Sequence, residues 1–425
     1  MRRIQYLALL VVIAGCGGNN SNGTGTPGFD ANSRLNAGRD ARVQEATKKL
    51  IAGPGAKVAD ASNDFGFKLL NGLLKDSPQK NVFISPISIE IALSMTMNGA
   101  VGDTKTGMAT ASGLSKLKAD EVNQGARSLL TLLEGVDPQV LTTLANSLWI
   151  DKSWTLRPEF VKQSTDFYKS TVRSESLQGK EGADLINLWV RDNTKGKIEK
   201  LFEEMPPNTV AAIVNTIYFA GEWAKPFKPE QTLPTPFESL DGKDVPVPLM
   251  QQGGYAAYGK FDGFAGLSLP YGKGRVVMDI WLPDKGANFG KFASSFTAKN
   301  YGEWTAKMNL EEFSRIAIPR FETETDESLN ERLKAMGMNL AFDPVKADFT
   351  GMHAGGGLFL SLVQHHAKIT VNEKGTEAAA ATGAVAATKG APSPSMDFVC
   401  NRPFLYAIRD TQAKTILFLG AYLKP

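Results

Sequence analysis

The order of the apolar segments between residues 41 and 425 constrains the fold more than any other feature of the sequence. Short apolar runs rich in β-branched residues predict strands, and apolar residues spaced three and four apart predict helices. The predicted strands are 81–84, 144–150, 214–219, 276–282, 361–371 and 415–423. Helical spacing occurs at Leu69, Leu70, Leu73 and Leu74, and a second helix is predicted to start at Ser85-Pro86. The segments do not alternate as βαβ units, so we expect an α+β domain with several sheets.

Residues 1–15 have the pattern of a secretory signal peptide. Two arginines precede an almost wholly apolar run over 4–13, and two small residues follow it. The run is too short to remain in a bilayer as a spanning helix. The four residues 13–16, Ile-Ala-Gly-Cys, resemble the lipobox of bacterial lipoproteins, which implies cleavage before Cys16 and diacylglycerol on its sulfur. The alternative is an ordinary secreted protein in which Cys16 stands at this place by chance.

The residues after Cys16 predict a tether. Gly, Asn, Ser and Thr dominate 17–35, and almost nothing there could be buried. We therefore assign 16–40 to a lipidated cysteine with a flexible tether and 41–425 to one folded region without a long linker. Two acyl chains anchor a protein far better than one. The predicted location is the cell envelope, with the protein lipid-anchored to a bacterial membrane and facing the periplasm or the exterior.

Composition excludes several functional classes. The 425 residues carry a formal net charge of +3, so no global basic field indicates a nucleic-acid partner. Two cysteines do not suggest a disulfide framework, and three histidines are too few and too poorly spaced for an obvious zinc site. No complete phosphate-binding loop and no dinucleotide fingerprint occurs, so we predict no cofactor and no metal. A hydrolase is disfavoured because no nucleophile-elbow motif is present, and Cys400 is expected to be structural.

The segment 376–388, TEAAAATGAVAAT, consists almost entirely of small side chains. In a static protein it would be a flexible linker. A surface segment that later becomes a central strand must instead present a small, uncharged face to the core at every second residue. Thr376, Ala378, Ala380, Thr382 and Ala384 form such a face, whereas the charged Glu377 has the opposite parity. The pattern therefore permits insertion into a sheet in one register.

Seven segments, in order along the chain, resemble the serpin family of serine-protease inhibitors. The segments are 81–104 (NVFISPISIEIALSMTMNGAVGDT), 186–202 (INLWVRDNTKGKIEKLF), 213–227 (IVNTIYFAGEWAKPF), 269–274 (LPYGKG), 335–352 (AMGMNLAFDPVKADFTGM), 371–384 (VNEKGTEAAAATGA) and 401–410 (NRPFLYAIRD). The resemblance implies the serpin fold, with three β-sheets, eight or nine helices and an exposed reactive-centre loop at about 373–400. It also implies a monomer that traps a serine protease as a suicide substrate, the cleaved loop inserting into the central sheet.

The resemblance also supplies a count to the cleaved bond. Inhibitory serpins usually place it sixteen residues after the acid that is Glu373 here, which gives Lys389 followed by Gly390. A lysine before the bond suits a trypsin-like protease, whose pocket carries a buried acid. Thr388 and Met396 are the alternative positions. The small residues at 386–388 would instead suit an elastase-like target, and a cysteine protease is a further alternative.

The resemblance implies three further groups of site residues. The hinge of the loop would be Glu373, Gly375, Thr376, Glu377, Ala378, Ala379, Ala380 and Ala381. The shutter, a polar network that holds the central strands together until they part, would be Ser85, Ser88, Asn215 and His365. Trp223 would lie in the breach, at the top of the sheet where insertion begins. A serpin fold without inhibition, serving binding or storage, is the alternative, but the alanines from 378 to 381 argue against it.

Overall fold

The computed structural model describes residues 52–137, 139–376 and 396–425, together with residues 41, 44, 45, 47 and 48. After residue 53, the described part contains nine α-helices and fifteen strands in irregular order. The α+β class and the expected number of helices are confirmed. None of the helices in these ranges is long and apolar enough to cross a membrane.

The helices vary in length from one turn to about six turns. They are α1 (Pro54–Asp76), α2 (Pro86–Met97), α3 (Gly102–Ala111), α4 (Ala119–Leu133), α5 (Pro158–Tyr168), α6 (Gly179–Asn193), α7 (Phe289–Ser295), α8 (Ala298–Thr305) and α9 (Asn330–Leu333). The predicted apolar face of α1 is buried at Leu69, Leu70, Leu73 and Leu74. Ser85 caps α2 and Pro86 occupies its first turn, as the sequence predicted.

The strands include all six that the sequence predicted, with ends that differ by a few residues. They are β1 (Val82–Ile84), β2 (Val140–Asp151), β3 (Thr171–Glu175), β4 (Ala211–Glu222), β5 (Leu233–Glu238), β6 (Asp244–Phe261), β7 (Phe264–Pro270), β8 (Val276–Pro283), β9 (Asn309–Pro319), β10 (Phe321–Ser328), β11 (Leu362–Asn372), β12 (Gly375–Thr376), β13 (Asp397–Val399), β14 (Phe404–Asp410) and β15 (Thr415–Tyr422).

Hydrogen bonding joins these strands into two sheets rather than the expected three. The main sheet has the order β10-β11-β12-β4-β2-β3, and the second sheet has the order β1-β15-β14-β8-β7-β6-β9-β13, with β5 paired to β6. The 18-residue strand β6 explains the difference. It pairs with β5 up to Leu249, with β9 from Leu249 to Tyr258 and with β7 from Ala257 to Phe261, so its changing partners join all of these strands into one sheet.

Helix α2 lies at the centre of the core. All twelve of its residues are buried, four polar ones among them, so every side of the helix is packed against protein. It packs on β4 and β2 of the main sheet and on β15 of the second sheet. The polar residues at its start therefore lie directly behind the middle of the main sheet.

Candidate functional site

The root of the predicted loop already forms a strand inside the main sheet. After β11 ends at Asn372, the chain turns and β12 runs back between β11 and β4. Thr376 lies opposite Val371 on β11 and opposite Gly221 on β4, and both pairings are antiparallel. Gly375 and Thr376 of the hinge thus occupy the start of the place that the whole inserted strand would take.

Gly375 is required where it stands for two separate reasons. Its φ is +149°, a conformation that side chains rarely adopt. A Cβ there would lie 2.1 Å from the carbonyl oxygen of Gly221 and 2.7 Å from Cα of Glu222. The resemblance placed Gly375 in the hinge, and the structure adds a close approach of two backbones that no other residue allows.

Thr376 faces the core, on the side that the alternation in the sequence predicted. Its side chain is fully buried, and its hydroxyl lies 2.9 Å from that of Tyr271. The Tyr271 ring stacks on Trp223 at 4.3 Å, and Trp223 Nε1 donates to the carbonyl of Asn372 at 2.9 Å. Trp223 therefore lies beside β12 at the top of the sheet, where it was expected.

The carboxylate of Glu373 stabilises the turn between β11 and β12 through its contacts with other segments. It accepts a hydrogen bond of 2.7 Å from the Thr232 hydroxyl and lies 3.6 Å from a guanidinium nitrogen of Arg320. The Glu373 carbonyl also accepts from the backbone N–H of Phe227 at 2.8 Å. Thr232 and Arg320 were not predicted, because both come from distant segments and neither belongs to a local pattern.

Below β12, strands β11 and β4 pair directly and in parallel, so the sheet is closed there. His365 on β11 lies opposite Asn215 on β4, and Asn215 lies opposite Asn146 on β2. These three side chains lie side by side across three neighbouring strands, and the start of α2 packs against them. We call Ser85, Ser88, Asn146, Asn215 and His365 the gate cluster, which contains the four predicted shutter residues and Asn146.

The hydrogen bonds of the gate cluster fix the state of His365. Its Nε2 accepts from the backbone N–H of Ser85 at 3.4 Å, so Nδ1 carries the hydrogen and donates to Asn215 Oδ1 at 2.5 Å. Asn215 Nδ2 donates to Ser88 Oγ and to Asn146 Oδ1. Burial lowers the pKa of His365 to about 3, so the ring is neutral at neutral pH.

This arrangement can hold the strands together and still let them part. One bond between side chains, from His365 to Asn215, crosses the boundary between β11 and β4 within the cluster. A neutral hydrogen bond contributes on the order of 1 kcal/mol, much less than a buried ion pair costs to break. Asn146 was missed in the sequence, although an amide inside an otherwise apolar strand was a usable signal.

The described residues show no second chemical centre. Cys400 is fully buried, and burial raises the pKa of its thiol, which does not suit a nucleophile. Among the residues that the structure describes, no group of three or more His, Cys, Asp or Glu could hold a metal ion. Some predicted site residues lie outside the described residues, namely Cys16, Glu377, Ala378, Ala379, Ala380, Ala381, Lys389 and Gly390.

Comparison with known proteins gives consistent matches over most of the chain. The family model described as "Serpin (serine protease inhibitor)" matches residues 60–425. The leukocyte elastase inhibitor of Bos taurus is 34% identical over 380 residues, covering 87% of this chain and 100% of that protein. The native state of the thermophilic serpin tengpin has a TM-score of 0.79 at 27% identity, covering 86% of this chain and 94% of that chain. Thyroxine-binding globulin in complex with thyroxine has a TM-score of 0.78 at 27% identity, covering 87% of this chain and 99% of that chain.

Proposed function

The chain belongs to the serpin family, and we propose that it inhibits a serine protease as a suicide substrate, trapping it at the acyl-enzyme stage. The observation that supports this most is the position of β12, which begins a new central strand between β11 and β4. The name of the similar leukocyte elastase inhibitor is consistent with inhibition of a protease.

The register of β12 predicts where an inserted loop would lie. Extending the pairs of Thr376 two residues at a time places Ala378 between Ile369 and Phe219. Ala380 would then follow between Ala367 and Ile217, and Thr382 would lie between His365 and Asn215, which face each other in the closed sheet. Each inward position receives a small, uncharged side chain, and Glu377 falls on the other face.

Insertion in this register would also replace the hydrogen bond that it breaks in the gate cluster. The strand must break the bond from His365 to Asn215, because it passes between them. The same register brings the hydroxyl of Thr382 to that place, where it can accept from one ring or amide N–H and donate to the opposite side chain. His365 and Asn215 would therefore keep a hydrogen-bond partner before and after insertion, which keeps the cost of separating them low.

In the proposed reaction, the seryl oxygen of the target bonds to the carbonyl carbon of Lys389. The bond from that carbon to the nitrogen of Gly390 breaks, and the new amino group takes the proton that the serine gave up. The loop, now free at one end, adds a strand of about fourteen residues, roughly 45 Å long. The attached protease is carried with it and distorted before water hydrolyses the ester.

We expect a trypsin-like protease to form a complex with the mature protein that survives boiling in detergent. Mass spectrometry of the denatured complex should show the released fragment Gly390–Pro425, because cleavage follows Lys389. Replacing Lys389 with Leu should slow trapping of the trypsin-like enzyme strongly, since the buried acid in its pocket loses its cation. The same variant should trap a chymotrypsin-like protease faster.

The outcomes of this experiment separate the alternatives. A fragment that begins at Lys389 or Asp397 would place the cleaved bond after Thr388 or Met396 and leave inhibition intact. Clean cleavage without any complex, at every ratio of protease to protein, would contradict inhibition. It would favour a binding protein on the serpin fold, a class to which thyroxine-binding globulin belongs by name.

We also propose that diacylglycerol on Cys16 holds the protein on a bacterial membrane, with 17–40 as a tether. The support is the order of charged start, apolar run and four-residue box in the sequence. Replacing Cys16 with Ser is expected to abolish labelling by radioactive palmitate and to release the protein from sedimented membranes. Membrane association that persists in this variant would contradict the anchor.

A further inference from the structure

A pocket lies between α3 and α4, where both helices pack against the end of α2. Its volume is about 220 Å³, and none of the residues that line it belongs to the loop, the gate cluster or the breach. Five apolar side chains line it, namely Met97, Ala109, Leu114, Leu117 and Val122. We call this space, together with Asn98 and Lys105, which also line it, the α3–α4 pocket.

The apolar wall of the α3–α4 pocket is part of the protein core. Met97, Leu114 and Val122 are at most 6% exposed, so their positions are fixed by packing. Ala109 and Leu117 are partly buried and pack against the same core. An apolar cavity of about 150 Å³ holds a benzene molecule, so the larger space here suits an apolar body of about six to eight carbon atoms.

Lys105 gives the α3–α4 pocket a positive charge. It is half-buried, and it forms no ion pair with a carboxylate of the residues that the structure describes. The acidic residues Asp103 and Asp120, which lie in the first turns of α3 and α4, are exposed and do not line the pocket. A half-buried ammonium without a carboxylate partner favours an anionic group beside it, since a charge-assisted hydrogen bond is about twice as strong as a neutral one.

Asn98 joins the α3–α4 pocket to a buried polar network. Its Nδ2 donates to Asn123 Oδ1 at 2.8 Å and to the Tyr168 hydroxyl at 3.2 Å, and that hydroxyl donates to Asn123 Oδ1 at 2.6 Å. Asn123 is fully buried and directly follows Val122, yet its Nδ2 has no hydrogen-bond partner among the described residues. An unpaired buried donor beside the pocket favours an occupant that carries oxygen over a pure hydrocarbon.

We propose that the α3–α4 pocket binds a small amphipathic carboxylate. Its carboxylate would pair with Lys105, and an apolar body of about six to eight carbon atoms would lie against Met97, Leu114 and Val122. A cationic amphiphile is disfavoured because it would meet the Lys105 ammonium. The long acyl chain of a membrane lipid is disfavoured because it exceeds the volume of the pocket.

The test measures the binding of hexanoate to the mature protein by titration calorimetry. The wild type should bind one hexanoate per chain, with a Kd in the millimolar range or below, and should bind hexylamine much more weakly. Replacing Lys105 with Gln should weaken hexanoate binding at least about tenfold, because the charge-assisted hydrogen bond is lost. The matched control is Lys116→Gln, which removes an exposed lysine of the same region that does not line the pocket. It should stay within about twofold of the wild type.

A second set of measurements examines the apolar part of the α3–α4 pocket. Replacing Ala109 with Phe should fill the space and abolish hexanoate binding, with circular dichroism as the check that the variant folds. Ala109→Leu is the smaller replacement for use if the phenylalanine variant does not fold. Hexanol has the same chain without the charge, so it should bind the wild type and Lys105→Gln equally well. Butanoate and dodecanoate should both bind more weakly than hexanoate.

The possible results lead to different conclusions. The inference is overturned if hexanoate does not bind at millimolar concentration, or if it binds Lys105→Gln and the folded Ala109 variant as tightly as the wild type. Dodecanoate that binds more tightly than hexanoate would indicate a lipid chain as the occupant and would equally contradict a small acid. A protein that binds hexanoate as expected but traps no protease leaves this site standing, because its residues take no part in the proposed trap.

Discussion

Replacing Thr376 with Arg is expected to turn the inhibitor into a substrate. Thr376 is fully buried in β12 of the uncleaved protein, with its hydroxyl against that of Tyr271, so the guanidinium would expel β12 there and would have to be buried again when the loop inserts. Burying an unpaired charge costs about 3–5 kcal/mol, which corresponds to a slowing of insertion on the order of 100-fold or more. Hydrolysis of the acyl-enzyme would then be faster than loop insertion. Denaturing gel electrophoresis of the reaction should show cleaved protein with little covalent complex.

The matched control for this variant is Glu377→Arg. It changes a charge at the next residue, on the face that the register of β12 directs away from the core. We expect it to retain a stoichiometry of inhibition near that of the wild type. Equal loss of trapping in both variants would contradict the parity of insertion, because parity is the feature that distinguishes the two positions.

The elements of the fold could be predicted because each depends on a local pattern. The β-branched run at 276–282 and the proline after Ser85 specify β8 and the start of α2 without reference to other segments. The number of sheets could not be predicted in this way. It depends on β6 changing partners from β5 through β9 to β7, and such a strand has no separate signature in the sequence.

The candidate site was predictable to a similar extent. The alternation of small residues gave the face of Thr376 correctly, since side chains in a strand must alternate. The family resemblance brought Ser85, Ser88, Asn215 and His365 to notice, and the structure places them in contact. The bonds of Glu373 to Thr232 and Arg320 join segments far apart in the chain, so only the folded structure reveals them.

Glu90 is a feature that sequence analysis did not single out. It lies in α2, is only 1% exposed, and accepts a hydrogen bond of 3.2 Å from the hydroxyl of Ser94. Its second carboxyl oxygen has no hydrogen-bond partner among the described residues. Burial raises the pKa of Glu90 to about 8, although hydrogen bonds from Ser94 and Ser112 lower it in part. At neutral pH the folded protein therefore holds this carboxyl protonated.

The sign of the effect on stability follows from comparing the folded and unfolded states. The unfolded chain releases the proton near pH 4.5, the ordinary value, and the folded protein keeps it up to about pH 8. Between these values the folded state binds more protons, so its stability falls by about 1.4 kcal/mol for each unit of rising pH. Below pH 4.5 the full contribution of Glu90 to the free energy of unfolding is present. By pH 7, about 3 kcal/mol of that contribution has been lost.

We therefore expect Glu90→Gln to be more stable than the wild type at pH 7, by up to about 3 kcal/mol in the free energy of unfolding by urea. The difference should grow between pH 5 and pH 8 and stay constant above it, because glutamine does not titrate. The exposed Glu159→Gln is the matched control and should show no such slope. A difference that is independent of pH would mean that Glu90 ionises in the folded state as it does in the unfolded chain.

The same variant links the stability of α2 to the proposed trap. Ser85 caps α2 and Ser88 lies in its first turn, and both bond to the gate cluster, so the packing of α2 supports that cluster. The trap needs a native state that is less stable than the inserted one and separated from it by a barrier. Removing a destabilising group from the native state should raise that barrier, and Glu90→Gln should consequently trap its protease more slowly at pH 7.5 than at pH 5.5 relative to the wild type. Equal relative rates at the two pH values would show that the packing of α2 and the opening of the sheet are not coupled.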